Sequence, residues 1–190
     1  MFLRVSVVKI TPKSIYHRGT ETSQRITEKV LNFNPDMDIH IRRALPDEAE
    51  VLTEIAHAAK RHWGYPENWI EHWKEDLTIT PEFIANNEMY VAIVGEKFAG
   101  CCALVLSDSL AELEHMWIRP AHMGAGVGRA LFNQIVERAA IHNARVVELS
   151  ADPNAEGFYR RMGATRIGEV RSEIEGQPRV LPRMLIALRP

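Results

Sequence analysis

Met116-Trp117-Ile118-Arg119-Pro120-Ala121-His122-Met123-Gly124-Ala125-Gly126-Val127-Gly128-Arg129-Ala130-Leu131 is the stretch from which the fold is read. An apolar run stops at Pro120, three glycines follow at alternate positions, and beyond them Ala130, Leu131, Ile135, Val136 and Ala139 recur at helical spacing. A strand therefore passes through a glycine-rich turn into a helix. The first amides of a helix have no partner within it and carry the positive end of its dipole, and glycines let a ligand reach the backbone, so such a turn is a ready phosphate site. The spacing G-x-G-x-G is neither the dinucleotide fingerprint, because position 129 is Arg, nor a Walker A loop, because no Gly-Lys-Ser/Thr follows. Tight packing of a turn against its helix would account for the glycines equally well.

Upstream, Ile39 and Ile41 alternate with His40 and Arg42, a short strand, and Pro46-Asp47-Glu48 opens a helix with Ala49, Leu52, Ile55, Ala56 and Ala59 on one face. The segment 63–83 reads as a turn, a short helix around residues 69–76, and a loop. Apolar runs at 89–94 and 97–106, split by Gly95-Glu96, read as a hairpin, and 110–118 as a further strand. Downstream come a strand at 146–149, a short helix at 154–162 ended by Gly163, and strands at 165–170 and 180–188 around a loop at 173–178. The order predicts an α+β fold with a mixed sheet, antiparallel at first and parallel where the helix from Gly128 crosses over.

The chain has 190 residues, 23 basic and 25 acidic, with 46% hydrophobic side chains, which suits a globular domain of ordinary composition. A net charge of −2 argues against a nucleic-acid binder held by phosphate neutralisation. No apolar stretch approaches the roughly 20 residues of a membrane span, and the first ten residues lack a cleavable leader's pattern. Neither a membrane nor export is expected. Cys101 and Cys102 lie together in an apolar run and read as small core hydrophobes, which fits a reducing cytoplasm. Residues 1–36 are polar and rich in Ser and Thr, with Arg4, Lys9, Lys13 and Arg18 before the first acid. A transit peptide would share that bias, but Glu21 and Glu28 weigh against it. The segment is read as an accessory extension, or as sequence ahead of a later start at Met37, with one domain over 37–190.

The stretch quoted first resembles the acetyl-CoA-binding motif of the GNAT superfamily of N-acetyltransferases, and Asn154-Ala155-Glu156-Gly157-Phe158-Tyr159-Arg160-Arg161-Met162-Gly163-Ala164 resembles the family's second signature. The likeness spans roughly 38–190. It implies a GNAT-like α+β fold, its mixed central sheet partly splayed, with about six to seven strands and about four helices. It also implies acetyl-CoA as co-substrate, its pyrophosphate on the backbone of Gly124, Ala125, Gly126, Val127, Gly128 and Arg129, and its pantetheine arm added like a strand to the edge after Ile118. Met123 stands where the family usually has Arg or Gln, which removes a side-chain contact and leaves the backbone cradle. The Arg129 side chain is a further phosphate candidate, and Asn154 belongs to the second motif's contribution to the cofactor site.

Tyr159 matches the family's general acid, which protonates the departing thiolate; a phenol with a pKa of about 10 remains a donor throughout neutral pH. A base must free the attacking amine of its proton, and Glu114 or Glu112 on the strand 110–118 is the candidate, with His115 as an alternative. Strict alternation puts both carboxylates on one face, opposite Leu113, His115 and Trp117; the family often carries a bulge here, which would change that facing. A strand N–H near Met116 or Trp117 would meet the oxyanion. No covalent intermediate is required, so transfer is direct. Trp63, Tyr65, Trp69 and Trp73 could wall the acceptor site; the i, i+4 pair Trp69 and Trp73 is also what a buried stripe gives, so Trp63 and Tyr65 are the substrate-binding candidates. The histidines at 57, 62 and 72 lack zinc spacing, and no metal is expected. The acceptor is a small-molecule or peptide amine. Dimers are common in the family, so a homodimer is among the implied assemblies. A non-catalytic CoA-binding sensor is the rival reading, and another acyl-CoA donor a third.

Overall fold

The computed structural model describes residues 38–107 and 110–188; the expected extension at 1–36 lies outside the described residues. Strand β1 (Ile39–Arg43) leads through a 3-10 turn at Pro46–Glu48 into helix α1 (Ala49–Arg61). Three short helices follow, α2 (Glu67–His72), α3 (Lys74–Leu77) and α4 (Pro81–Asn86). Then come β2 (Glu88–Val94), β3 (Lys97–Ser107), β4 (Leu110–Ile118), α5 (Val127–Ile141), β5 (Val146–Ser150), α6 (Glu156–Arg161), β6 (Thr165–Ile174) and β7 (Gln177–Ala187).

The sheet order is β1-β2-β3-β4-β5-β7-β6. Every neighbouring pair is antiparallel except β4 and β5, which α5 joins by a crossover and which run parallel. This is the expected mixed sheet. Its splay is also present, since the β4–β5 register holds only two pairs, Ala111 with Val147 and Glu112 with Glu148.

Three elements differ from the sequence reading; the first is the short helix expected around 69–76, which is split at Trp73 into α2 and α3. The loop expected after residue 76 contains α4, whose start Thr80 caps by accepting from the Phe83 N–H at 3.1 Å, with Pro81 at the first helical position. The loop expected at 173–178 is a two-residue turn, Glu175-Gly176, with φ of +49° and +75°, so β6 and β7 run on to meet it. Pro178, expected at the end of that loop, and Pro182, inside the strand expected at 180–188, both lie in β7. Because the Pro182 carbonyl accepts from Ala151 on the β5 side, alternation turns both ring nitrogens away from β6, and the β6–β7 ladder loses no bond.

The sheet buries both faces. On one, Leu131, Phe132 and Ile135 of α5 pack with Met116, Ile118, Leu149 and Tyr159. On the other, Leu52 and Ile55 of α1 pack with Ile70, Trp73, Val91, Ala103 and Trp117. Consecutive residues of β4 thus feed opposite layers. The apolar face read for α1 is the face buried.

Glu88 ties β2 to α5. It accepts from Arg138 Nε at 2.7 Å and Nη2 at 2.8 Å and from Tyr90 at 2.9 Å, with His142 Nε2 at 3.0 Å. The Arg138 bonds, against the cost of burial, bring its carboxyl from 4.5 down to about 2. A lowered carboxyl stabilises the fold above about pH 4.5 and loses that contribution as pH falls towards 2. Glu88→Gln is expected to lower the unfolding free energy at pH 7 by about 2 kcal/mol, a figure discounted for partial exposure, and to flatten the acid limb of stability in urea titrations.

Candidate active site

Beyond Ile118 a 3-10 turn at Pro120–His122 delivers the chain to Met123 and the glycines. Gly124 and Gly126 sit at φ +80° and +91°, left-handed positions that a side chain rarely tolerates. Gly126 is the N-cap of α5, no side chain caps that end, and the first bond bridging cap and helix is Ala130 N–H to Gly126 O at 3.0 Å. The amides of Val127, Gly128 and Arg129 are therefore presented at the positive end of a four-turn helix.

They open on a cleft. Ile118, His122, Met123, Gly124, Gly126, Gly128 and Arg129 line one wall and Phe158, Arg161 and Met162 the other, so the two motifs meet there. Ring packing sets the distance between them: Phe132 of α5 stands 6.1 Å from both Phe158 and Tyr159 of α6. Val127 is fully buried, and only its backbone can serve a ligand. Asn154 does not line this cleft, and its amide bonds instead to Asp152 at 3.0 Å and to the Tyr65 hydroxyl at 3.3 Å.

Beside the cleft the sheet parts. Arg119 N–H donates to Ala99 O on β3 at 2.8 Å, so by alternation the amide of Trp117 also faces β3, while those of Ile118 and Met116 face the gap left by β5. The Trp117 carbonyl lies only 2.7 Å from where a Cβ on Gly100 would stand, so glycine lets the strands close there. Trp117 itself is buried in the α1 layer.

A bulge at Glu114 separates the pairs Ala103–His115 and Leu104–Leu113. It corrects the strict alternation: Leu113 shares its layer with Met116 and Ile118, not with Trp117. Glu114 is half-buried at the bulge, where β4 has just left β5. Glu112 lies opposite Glu148; burial and then that neighbour raise its carboxyl, with Arg183 opposing. His115 is buried, accepts from Trp117 Nε1 at 3.1 Å, and packs edge-on to Phe83 at 4.9 Å, the setting of a structural histidine. Tyr159 has no exposed surface and its helix follows the turn Asp152–Ala155 at the end of β5. The thiols of Cys101 and Cys102 are buried and pushed up by that burial, as suits core residues.

On the opposite layer Tyr65, Trp69 and Trp73 form one aromatic group, with Tyr65 stacked on Trp69 at 6.0 Å and edge-on to Trp73 at 5.2 Å. Trp63 is half-buried against the same layer. These rings enclose charges that were not foreseen: Lys60, Asp152 and Arg179 are buried among them. Lys60 had a signal, a cation four residues after Ala56 on the apolar stripe of α1. Asp152 and Arg179, far apart in sequence, had none. Arg161 was also missed, although it lies in the second motif.

A mixed sheet that opens beside an uncapped helix start suits a thioester carried on a long amide arm, the ligand of an acyltransferase. A profile of the acetyltransferase (GNAT) family matches residues 50–164, and the chain belongs to that family. No curated protein matches the chain in sequence. Among solved structures, a GCN5-related N-acetyltransferase from Rhodopseudomonas palustris superposes with a TM-score of 0.68 at 19% identity, covering 80% of this chain and 98% of that one. PaiA N-acetyltransferase from Thermoplasma acidophilum, in complex with coenzyme A, gives 0.62 at 20% identity over 80% and 99%. YncA, an acetyltransferase by its description, from Salmonella typhimurium with acetyl-CoA, gives 0.60 at 19% over 80% and 95%. No helix among the described residues is long and apolar enough to cross a membrane.

Proposed function

We propose that this protein transfers the acetyl group of acetyl-CoA to a primary amine, of a small molecule or a peptide, by direct attack in a ternary complex. The observation that carries this reading is the set of uncapped amides at Val127–Arg129, opening on a cleft both motifs line and adjoining the gap between β4 and β5. The diphosphate would rest on those amides with Arg129 and Arg161 beside it. The amide-bearing arm would lie along β4, using the Met116 and Ile118 backbone groups that β5 leaves.

Glu114, or Glu112 behind it, takes a proton from the acceptor ammonium, directly or through water. The freed amine forms a C–N bond to the thioester carbon. Of the two strand amides expected for the oxyanion, Met116 N–H is favoured because it faces the gap. The C–S bond then breaks, Tyr159 gives its hydroxyl proton to the departing thiolate, and the second proton leaves the acylated nitrogen for solvent, from which the phenol is restored. Two buried thiols suit a reducing compartment such as the cytoplasm, and no step requires a metal.

Thiol release from acetyl-CoA, measured across amino acids, peptides, polyamines and aminoglycosides, tests the reading. Release that depends on an amine is expected; no release with any of them favours a CoA-binding sensor. Glu114→Gln and Glu112→Gln then separate the base candidates. The variant that loses kcat/KM by about 100-fold and abolishes its acid limb identifies the base.

A further inference from the structure

The cluster around Asp152 is richer in donors than in acceptors. The side chains of Lys60, Asp152 and Arg179 are 1%, 0% and 7% exposed. Asp152 is fully satisfied: it accepts from Lys60 Nζ at 2.9 Å, from the Tyr65 hydroxyl at 2.9 Å, and from the backbone and side-chain nitrogens of Asn154, each at 3.0 Å. The guanidinium of Arg179 is not. Its Nε and Nη2 are buried with no hydrogen-bond acceptor, and Nη2 stands 3.7 Å from the nearest Asp152 oxygen. Two buried cations thus share one buried carboxylate, with half-buried Asp76 facing both from α3. Unpaired donors on a buried charge cost several kcal/mol unless an anion completes them.

The faces of the rings are already taken. Lys60 Nζ lies 4.2 Å from the Trp73 centroid and 4.7 Å from that of Tyr65, and the Arg179 guanidinium 4.5 Å from Trp73. The aromatic group therefore shields the protein's own cations and offers nothing to a second ammonium. Burial shows in the titration as well: it draws Lys60 down to about 8 although Asp152 opposes it, and it lowers Arg179.

The cluster stands at the acceptor's side of the site. Asp152 begins the turn into the helix that carries Tyr159, and Asn154 of the second motif joins it to Tyr65. Arg179 rides on the part of β7 beyond Arg183, where β5 no longer pairs with it and the β6–β7 ribbon arches alone over α2 and α3. Ile174 and an Asn68–Glu175 bond anchor that ribbon's tip. Arg179 thus lies on a two-stranded arm beyond the last β5–β7 pair.

We propose that the acceptor amine also bears a carboxylate, as an amino acid does, and that Arg179 with Lys60 receives it. This deepens the acetyl-transfer reading and rests on it. A planar guanidinium fork pairs a carboxylate through two parallel bonds, which an uncharged amide cannot reproduce. Polyamines, lacking an anion and bringing a second cation, are disfavoured by the same charges.

Alanine, leucine and phenylalanine, each compared with its own α-amide, test this in the full chain by thiol release. The acids are expected to exceed the amides about 100-fold in kcat/KM, and Arg179→Met to bring that ratio below about threefold, mainly through KM for the acids. Arg179→Lys is expected to restore part of it. Arg179→Met keeps an apolar stem against Trp73 and removes two buried donors that have no acceptor, so it is expected to melt within about 2 °C of the parent. Equal use of acids and amides by the parent, or a ratio that survives in Arg179→Met, overturns the inference while leaving acetyl transfer intact. So does a lowered melting point accompanied by equal losses on acids and amides, which marks a structural role. Should no amine be acetylated, acetyl transfer itself fails, and calorimetry decides the carboxylate site. N-acetyl-leucine binding to the CoA-loaded protein in preference to N-acetyl-leucinamide, with the preference lost in Arg179→Met, upholds it; equal or absent binding overturns it.

Discussion

Gly126→Trp is expected to weaken CoA binding by about 100-fold or more, roughly 3 kcal/mol, in calorimetric titrations. Two effects act together. Gly126 holds φ +91° at the N-cap of α5, a left-handed conformation that costs a residue with a Cβ on the order of 1 kcal/mol. More important, an indole there fills the cleft between the glycine turn and α6, where the diphosphate would approach the amides of Val127–Arg129. Gly126→Ala separates the terms, since it brings the strain with little of the bulk. An unchanged affinity in a folded Gly126→Trp protein, judged by circular dichroism, would remove the proposed cradle.

Tyr159→Phe is expected to lower kcat by about 100-fold while acetyl-CoA binding changes less than about threefold. The ring is fully buried between Phe132 at 6.1 Å and Phe158 at 5.2 Å, and phenylalanine keeps that packing. On the proposed mechanism, loss of the hydroxyl alone would remove the proton offered to the leaving thiolate and spare the proposed diphosphate site. Turnover at the parental rate would assign the proton to solvent or to another group. An acetylated substitute with a more acidic thiol, which needs less protonation on leaving, is expected to narrow the gap between parent and variant.

Local pattern accounts for most of what the sequence revealed. Alternation in β1, the buried stripe of α1, the Gly95-Glu96 hairpin and the run from strand through glycines into α5 are short-range signals, each written within one or two turns of chain. The sharper misses were also local, but their signals competed. Thr80-Pro81 is a helix start hidden in a segment crowded with tryptophans and prolines, and Glu175-Gly176 closes a tight turn although glutamate seldom adopts positive φ. Pro178 reads as ending a loop, yet it lies within β7, because sequence does not tell which way a backbone nitrogen faces.

The chain's own order of residues determined the fold class, both motifs and thereby the family, because glycine spacing and hydrophobic period act through neighbours along the backbone. Tertiary structure alone decided what lies across the sheet. It set the bulge that turns Glu114 and the strand face, the turning of the Met116 and Ile118 amides towards the gap beside β5, and the meeting of Lys60, Asp152 and Arg179 from α1, the end of β5 and β7. Those contacts join residues up to 119 positions apart, Lys60 to Arg179, and depend on register and burial, which no local spacing encodes.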